Sequence, residues 1–250
     1  MAGGARSSGE SVITRAFSLL RAFDEQHPDL SLAELAERSG LPRTTAHRMA
    51  AELVELGMLH RTDRGYAIGT GLWEIGELSP VSMVLRERAL PHLLGLYEAT
   101  GENVHLAVLA EAEALYVARL TGSSSIPTLS RMGGRLPLHT TGVGKALLST
   151  MDEPALARYF AVPRELETIH SITGEATLRL EIDVARQRGY ATTRQEMTLG
   201  NISFAAPIPA LPGLPPAAVG VVTHLARGDA SRLAPLVLRA AADIWRDLSH

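Results

Sequence analysis

The stretch from Ser31 to Ile68 constrains the fold more than any other part of this 250-residue chain. Ser31 opens an apolar run with Glu34 three residues on, the spacing of a capping box in which each side chain satisfies the other's backbone amide. That helix covers residues 32–38, and Gly40 ends it. Pro42 stands where a first helical turn tolerates a missing N–H, and Ala46, Met49, Ala50, Leu53 and Leu56 recur at helical spacing until Gly57. Residues 58–62 and 66–68 then flank Asp63-Arg64-Gly65, a tight turn between two short strands. Upstream, a helix from Ser11 sets Ile13, Ala16, Phe17, Leu20 and Phe23 on one face before Pro28 and Asp29 halt it. Three helices and a hairpin within about sixty residues make a winged helix-turn-helix.

Beyond Gly69 and Gly71 the texture changes. Residues 72–100 read as helix in two pieces, because Pro91 removes a donor and disfavours helix at Leu90. Its stripe of Leu85, Ala89, Leu90, Leu93, Leu94 and Tyr97 is expected to line a contact between or beneath subunits. Residues 103–110 and 114–120 read as strands, followed by a Gly/Ser/Pro-rich loop at 122–127. A further strand region follows, then a helix from about Gly142 and helices near 154–160 and 177–188. Strands near 203–208 and 217–225 precede a last helix from Ser231. Strands flanked by helices without regular alternation predict an α+β class. The expected division is a flexible tail at 1–9, a winged domain at 10–70, a linker helix region at 71–100 and a larger domain at 101–250.

Composition removes several classes of function. The absence of cysteine excludes disulfides, thiolate metal sites and cysteine nucleophiles. No run approaches the ~18 apolar residues of a membrane span, and the opening MAGGARSSGESVITR has no apolar leader core, so a cytoplasmic protein is expected. The nine histidines form no i,i+4 pair, so neither an essential metal nor another cofactor is expected. The net charge of −3 offers no bulk argument for a nucleic-acid partner. Lys145 is the only lysine, so anion contacts elsewhere fall to guanidinium forks.

The local charge is more informative. Arg38, Arg43 and Arg48 stand in a span without an acid, while Glu34 and Glu37 lie on the preceding helix. Thr44, Arg48, Ala51 and Glu55 lie opposite the third helix's buried stripe, flanked by Arg43, Thr45 and His47. Such a face fits a DNA major groove, and Arg61 and Arg64 on the hairpin then reach phosphate or the minor groove. A solvated face or a protein-interaction module is the plainer alternative.

The segment SLAELAERSGLPRTTAHRMAAELVELGMLHRTDRGYAIG resembles the IclR family of bacterial transcription regulators. Three further blocks match in family order: LRERALPHLLGLYEATGENVHLAVL, GGRLPLHTTGVGKALLS and RGYATTRQEMTLGNISFAAPI. The resemblance implies an amino-terminal winged helix-turn-helix, a linker helix, and a carboxy-terminal effector-binding domain similar to GAF domains. It implies double-stranded operator DNA and a small organic effector as partners, and assembly as a homodimer or homotetramer. Carried over by motif, the effector residues are Thr128, Leu136, Gly142, Val143, Asn201, Ser203 and Gly220. Ser203 stands where many relatives carry cysteine, and Gly220 where serine or threonine is frequent. The glycine is expected to enlarge the pocket and favour an aromatic or acyl carboxylate over a two- or three-carbon acid.

Gly142 and Gly144 read equally as ligand contacts or as a tight turn into a helix. The segment is not a nucleotide P-loop, since Ala146 follows Lys145 and His139 replaces the first glycine. Lys145 faces the ligand or pairs with a buried carboxylate, with the second role favoured. His105 and His139 read as core groups, Glu196 as a loop residue and Asp183 as a helix-surface residue. Two rival functions are a ligand sensor acting through a protein partner and an enzyme on a GAF-like fold. Reduction of methionine sulfoxide needs cysteine, and no Gly-x-Ser-x-Gly elbow occurs, so no catalytic residues are assigned.

Overall fold

Helix α1 (Val12–Leu20) begins where Ser11 accepts the amide of Thr14, and the chain then builds two separate units, divided between Ser79 and Pro80. The structure, a computed structural model, describes residues 10–122 and 126–250. The expected tail at 1–9 lies outside the described residues, as do residues 123–125 of the Gly/Ser/Pro-rich loop.

In the first unit, strand β1 (Asp29–Leu30) leads into α2 (Leu32–Ser39), whose capping box joins Ser31 and Glu34 in both directions. Gly40 turns left-handed at φ 70° to end it, and α3 (Arg43–Glu55) follows with Pro42 at its cap. Strands β2 (Leu59–Arg61) and β3 (Tyr66–Ile68) form the wing, and α4 (Thr70–Glu77) follows. Leu19, Leu30, Leu35, Ala46, Ala50, Leu59 and Tyr66 make the core.

The hairpin is a three-stranded sheet, because Leu30 pairs with Tyr66 and Asp29 with Ala67. Gly65 permits that approach: a Cβ there would stand 2.2 Å from the Leu30 carbonyl oxygen. On α1, Leu19 is buried, and Ala16, Leu20 and, just beyond the helix, Phe23 pack against the core as expected, whereas Ile13 and Phe17 are 71% and 55% exposed. Leu56 leaves the buried stripe because α3 has already ended at Glu55.

The second unit opens with a π-helical turn (Val81–Arg86) that runs into α5 (Glu87–Thr100). Pro91 sits inside this helix, so the helical stretch is not divided there. The break falls at Leu78 and Ser79, where Pro80 disfavours helix at the preceding residue. The expected linker at 71–100 is thus shared between the two units.

Strands β4 (Asn103–Ala110), β5 (Glu113–Leu120) and β6 (Arg135–Pro137) join β7 (Ala191–Arg194), β8 (Asn201–Ile208) and β9 (Ala217–His224). They form one antiparallel sheet in the order β6-β5-β4-β9-β8-β7. Helix α5 and the final α9 (Ala230–Leu248) pack on one face through Leu93, Leu106, Val219, Val237 and Ile244. Helices α6 (Gly142–Leu148), α7 (Glu153–Phe160) and α8 (Glu175–Arg188) belong to the core on the other face, with Ala107, Leu147, Ile182 and Ala218. Leu85, Ala89 and Leu93, expected at a subunit contact, are buried in this chain's own core. Leu90 and Leu94 are instead 44% and 43% exposed.

Candidate functional site

Helix α3 exposes Arg43, Thr44, His47 and Arg48, while Thr45 is half-buried beside the core residue Ala46. Its first i,i+4 bond runs from the Ala46 amide to the Pro42 carbonyl, and Pro42 has no side-chain acceptor for the amides before it. Among the described residues, Arg43 and Arg48 make no ion pair and no side-chain hydrogen bond.

The other predicted arginines have partners within their own unit. Arg38 donates from Nε to the Ala22 carbonyl (2.6 Å) and from Nη2 to Asp24. It braces α2 against the turn after α1. Hydrogen bonding by His27, with a contribution from Arg38, holds the Asp24 carboxyl below its usual range. Arg64 reaches Glu34 Oε1 at 3.0 Å, and Arg61 lies 5.1 Å from the centre of the Tyr66 ring. The Ser31 amide, with help from Arg64, lowers the Glu34 carboxyl.

In the second unit all seven residues Thr128, Leu136, Gly142, Val143, Asn201, Ser203 and Gly220 line one cavity. The cavity has a volume of about 50 Å³. The cavity lies between the start of α6 and the sheet. Gly142 allows close approach, since a Cβ there would stand 2.4 Å from Ser203 Oγ. Gly144 does the same against the Leu138 backbone, also at 2.4 Å. Thr141 caps α6 by accepting the Gly144 amide at 3.2 Å and donates to the Pro137 carbonyl at 2.9 Å.

Gly220 does not open the cavity as expected. A Cβ there would meet Ala205 Cβ at 2.8 Å, the Phe204 carbonyl at 3.0 Å and Val143 Cγ1 at 3.2 Å. The glycine lets α6 close onto β8 and β9, and the space is already filled.

The lining also contains polar groups that sequence reasoning missed. Thr193 and Ser203 share a buried hydrogen bond across β7 and β8. Thr128 and Ser130 lie 3.0 Å apart, and Ser130 Oγ is 2.9 Å from His105 Nε2. Burial, with Arg119 nearby, lowers the His105 pKa to about 3, so the ring is neutral at pH 7. Tyr116 meets that ring edge-on at 5.3 Å, and burial pushes its phenol up. Strand alternation was the available signal for His105, because His105 pairs with Gly220 across β4 and β9. Thr193 gave no such signal, since β7 itself was not recognised.

Lys145 pairs with a carboxylate, as favoured. Its Nζ lies 2.8 Å from Glu196 and 3.5 Å from Glu181. Glu196 is buried in the loop before β8 and is a cavity wall rather than an ordinary loop residue. Burial pushes its carboxyl up while the Lys145 ammonium opposes that shift. His139 is buried between the Glu165 carbonyl (2.9 Å) and the Tyr159 hydroxyl (3.3 Å). Asp183 pairs with Arg186 on the surface of α8. Among the described residues, no three His, Asp or Glu side chains are placed to hold a metal ion, and no helix is long and apolar enough to cross a membrane.

Comparison with known proteins places both units. Residues 12–63 match the IclR helix-turn-helix domain, and residues 79–250 match the family model described as bacterial transcriptional regulator IclR C-terminal. The Pca regulon regulatory protein of Pseudomonas putida is 28% identical over 242 residues, covering 94% of this chain and 83% of that protein. The glycerol operon regulatory protein of Streptomyces coelicolor is 30% identical over 243 residues, covering 95% and 94%. The crystal structure of an IclR homolog from Microbacterium hydrocarbonoxydans complexed with 4-hydroxybenzoate superposes with a TM-score of 0.88 at 28% identity, covering 96% of this chain and 99% of the other. These relatives are regulators, not enzymes. With two adjoining domain matches in family order, this chain belongs to the IclR family of bacterial transcriptional regulators.

Proposed function

We propose that the protein is an effector-controlled, DNA-binding regulator of a catabolic operon. Helix α3 enters the major groove, with Arg43, Thr44, His47 and Arg48 toward the duplex and Thr45 at the edge of the contact. Arg61 and Arg64 face phosphate from the wing. One observation carries this reading: among the described residues, Arg43 and Arg48 stand exposed on one helix with no ion pair and no side-chain hydrogen bond. A homodimer or dimer of dimers places two such helices about 34 Å apart on a near-palindromic operator. Exposed Val12, Ile13, Phe17, Trp73 and Ile75 on α1 and α4 support an apolar contact between copies.

The cavity takes a small organic acid, aromatic or acyl. Leu136, Val143 and Met197 supply apolar wall, and the hydroxyls of Thr128, Thr193 and Ser203 supply polar contacts. The bound 4-hydroxybenzoate of the Microbacterium homolog supports this class. Effector binding switches DNA affinity only as far as it prefers one arrangement of the winged domains.

An electrophoretic shift with the DNA flanking the gene tests the first half; a specific shift that responds to effector is expected. Calorimetry with 4-hydroxybenzoate, benzoate, hexanoate, pyruvate and glyoxylate tests the second. Tight binding of only the two- and three-carbon acids would refute the larger ligand class.

A further inference from the structure

The cavity poses an electrostatic problem for an acidic ligand. Among the described residues that line it, the one carrying a formal charge is Glu196; no arginine or lysine is among them, and His105 is neutral. A carboxylate wall without a lining cation repels an anion. The compensating charge lies one layer behind the wall. Lys145 leaves α6 three residues after Gly142, is 1% exposed, and lies 2.8 Å from each Glu196 carboxylate oxygen without itself lining the cavity. Glu181, 3.5 Å from the same ammonium, is 39% exposed and turned partly to water, so its charge is screened more strongly than that of Glu196.

We propose that Lys145 is an electrostatic positioning residue of the effector cavity: it never touches the ligand, but by cancelling the charge on Glu196 it lets the cavity hold an anion. This rests on the reading that the cavity takes an organic acid. It assigns Glu196 a role in selectivity, as the group whose charge sets the preference between an acid and its neutral analogue.

The geometry allows charge to be separated from shape. Glu196 is anchored independently of Lys145. Its Oε1 accepts the Arg194 amide at 3.2 Å, and its carbonyl accepts the hydroxyls of Ser171 at 2.8 Å and Thr168 at 3.3 Å. Glu196→Gln keeps the size of the side chain and one acceptor oxygen for the Arg194 amide, while removing the charge and replacing one of the two oxygens that face Lys145 with an NH2 group.

The test is calorimetric binding of benzoate and hexanoate, each against its primary amide, to the full chain and its variants. In Glu196→Gln the acid-to-amide affinity ratio is expected to rise about tenfold, the scale of one unit charge several ångströms away at an intermediate effective dielectric. In Lys145→Met the ratio is expected to fall, and in Lys145→Met/Glu196→Gln to return toward the wild-type value. Should Lys145→Met fail to fold, Glu196→Gln carries the test alone. An unchanged ratio in Glu196→Gln, or equal changes for acid and amide, overturns the charge assignment and leaves the effector reading standing. If the wild-type chain binds no acid at all, the effector reading itself falls, and the role of Lys145 with it.

Discussion

The α3 surface and the cavity handle charge in opposite ways. On α3, Arg43 and Arg48 are exposed and uncommitted, so a polyanion arriving from solvent finds donors whose previous partner was water. Beneath the cavity, the ammonium of Lys145 is enclosed and tied to Glu196 before any ligand arrives. A surface that reads phosphate can leave its cations free because water stabilises them at little cost. An interior site must pair every charge it contains, because an unpaired buried ion costs several kcal/mol. The two regions therefore differ in what a single charge-removing substitution does: the surface loses binding, and the interior loses folding stability.

The largest effect expected from that contrast is on stability. Lys145→Met strands Glu196 at 4% exposure, and breaking such a buried pair typically costs about 3–5 kcal/mol. Urea unfolding followed by circular dichroism measures it. Arg48→Ala should leave the unfolding midpoint unchanged; comparable losses in the two variants would dissolve the distinction between the regions.

Next in size is the loss of DNA affinity. Arg43→Ala or Arg48→Ala is expected to cost about 1–3 kcal/mol of operator binding where the side chain reads a base edge. A phosphate contact instead weakens all sequences alike and lowers the salt slope by about one. Arg38→Ala is the control, because its guanidinium already serves Ala22 and Asp24. Anisotropy titrations at two salt concentrations separate the three; a specific loss in Arg38→Ala alone would reverse the assignment of the exposed face.

Acidification probes the interior from another side. Burial lowers the folded-state pKa of His105 from 6.5 to about 3, so between those values the unfolded chain binds a proton that the folded chain does not. Stability is therefore present above pH 6.5 and is lost as pH falls through that window. Between pH 7 and pH 5 this group alone is expected to remove about 2 kcal/mol. Glu196 has the opposite sign: its raised pKa favours the folded state on acidification. Comparing wild type with His105→Gln isolates the histidine; an equally steep acid limb in the variant would show that His105 is not its source.

Much of this architecture was legible because local chemistry and tertiary packing agree. The Ser31–Glu34 capping box, the Gly40 stop and the strand at residues 103–110 all lie where their residue types demand. What escaped notice depends on partners remote in sequence. β1 is two residues long and is a strand only by pairing with β3. β7 (ATTR) has no apolar alternation to announce it. Pro91 sits within a helix that packs against the sheet and α9, where tertiary contact outweighs a missing donor. Four of the seven cavity residues converge because the start of α6 meets β8, and Leu136 on β6, Gly220 on β9 and Thr128 in the loop before β6 complete the wall; for Gly220 the packing runs opposite to the expectation. Sequence shows that a side chain is missing; only packing shows that the space is already occupied.

The smallest expected effect lies at the junction of cap and wing, where one carboxylate serves both. Glu34 Oε2 accepts the Ser31 amide at 2.8 Å, while Oε1 holds Arg64 at 3.0 Å. Glutamine also completes a capping box, so Glu34→Gln should preserve α2 while weakening the hold on Arg64. If the wing faces phosphate, the released guanidinium should strengthen binding a few-fold at low salt and steepen the salt slope by up to about one. The gain should be alike for operator and unrelated DNA, since a phosphate contact carries no sequence information. A gain confined to the operator would mean that Arg64 reads bases, and the wing would then join α3 as a determinant of specificity. No gain on either DNA would take Arg64 out of the interface and leave α3 as the principal contact.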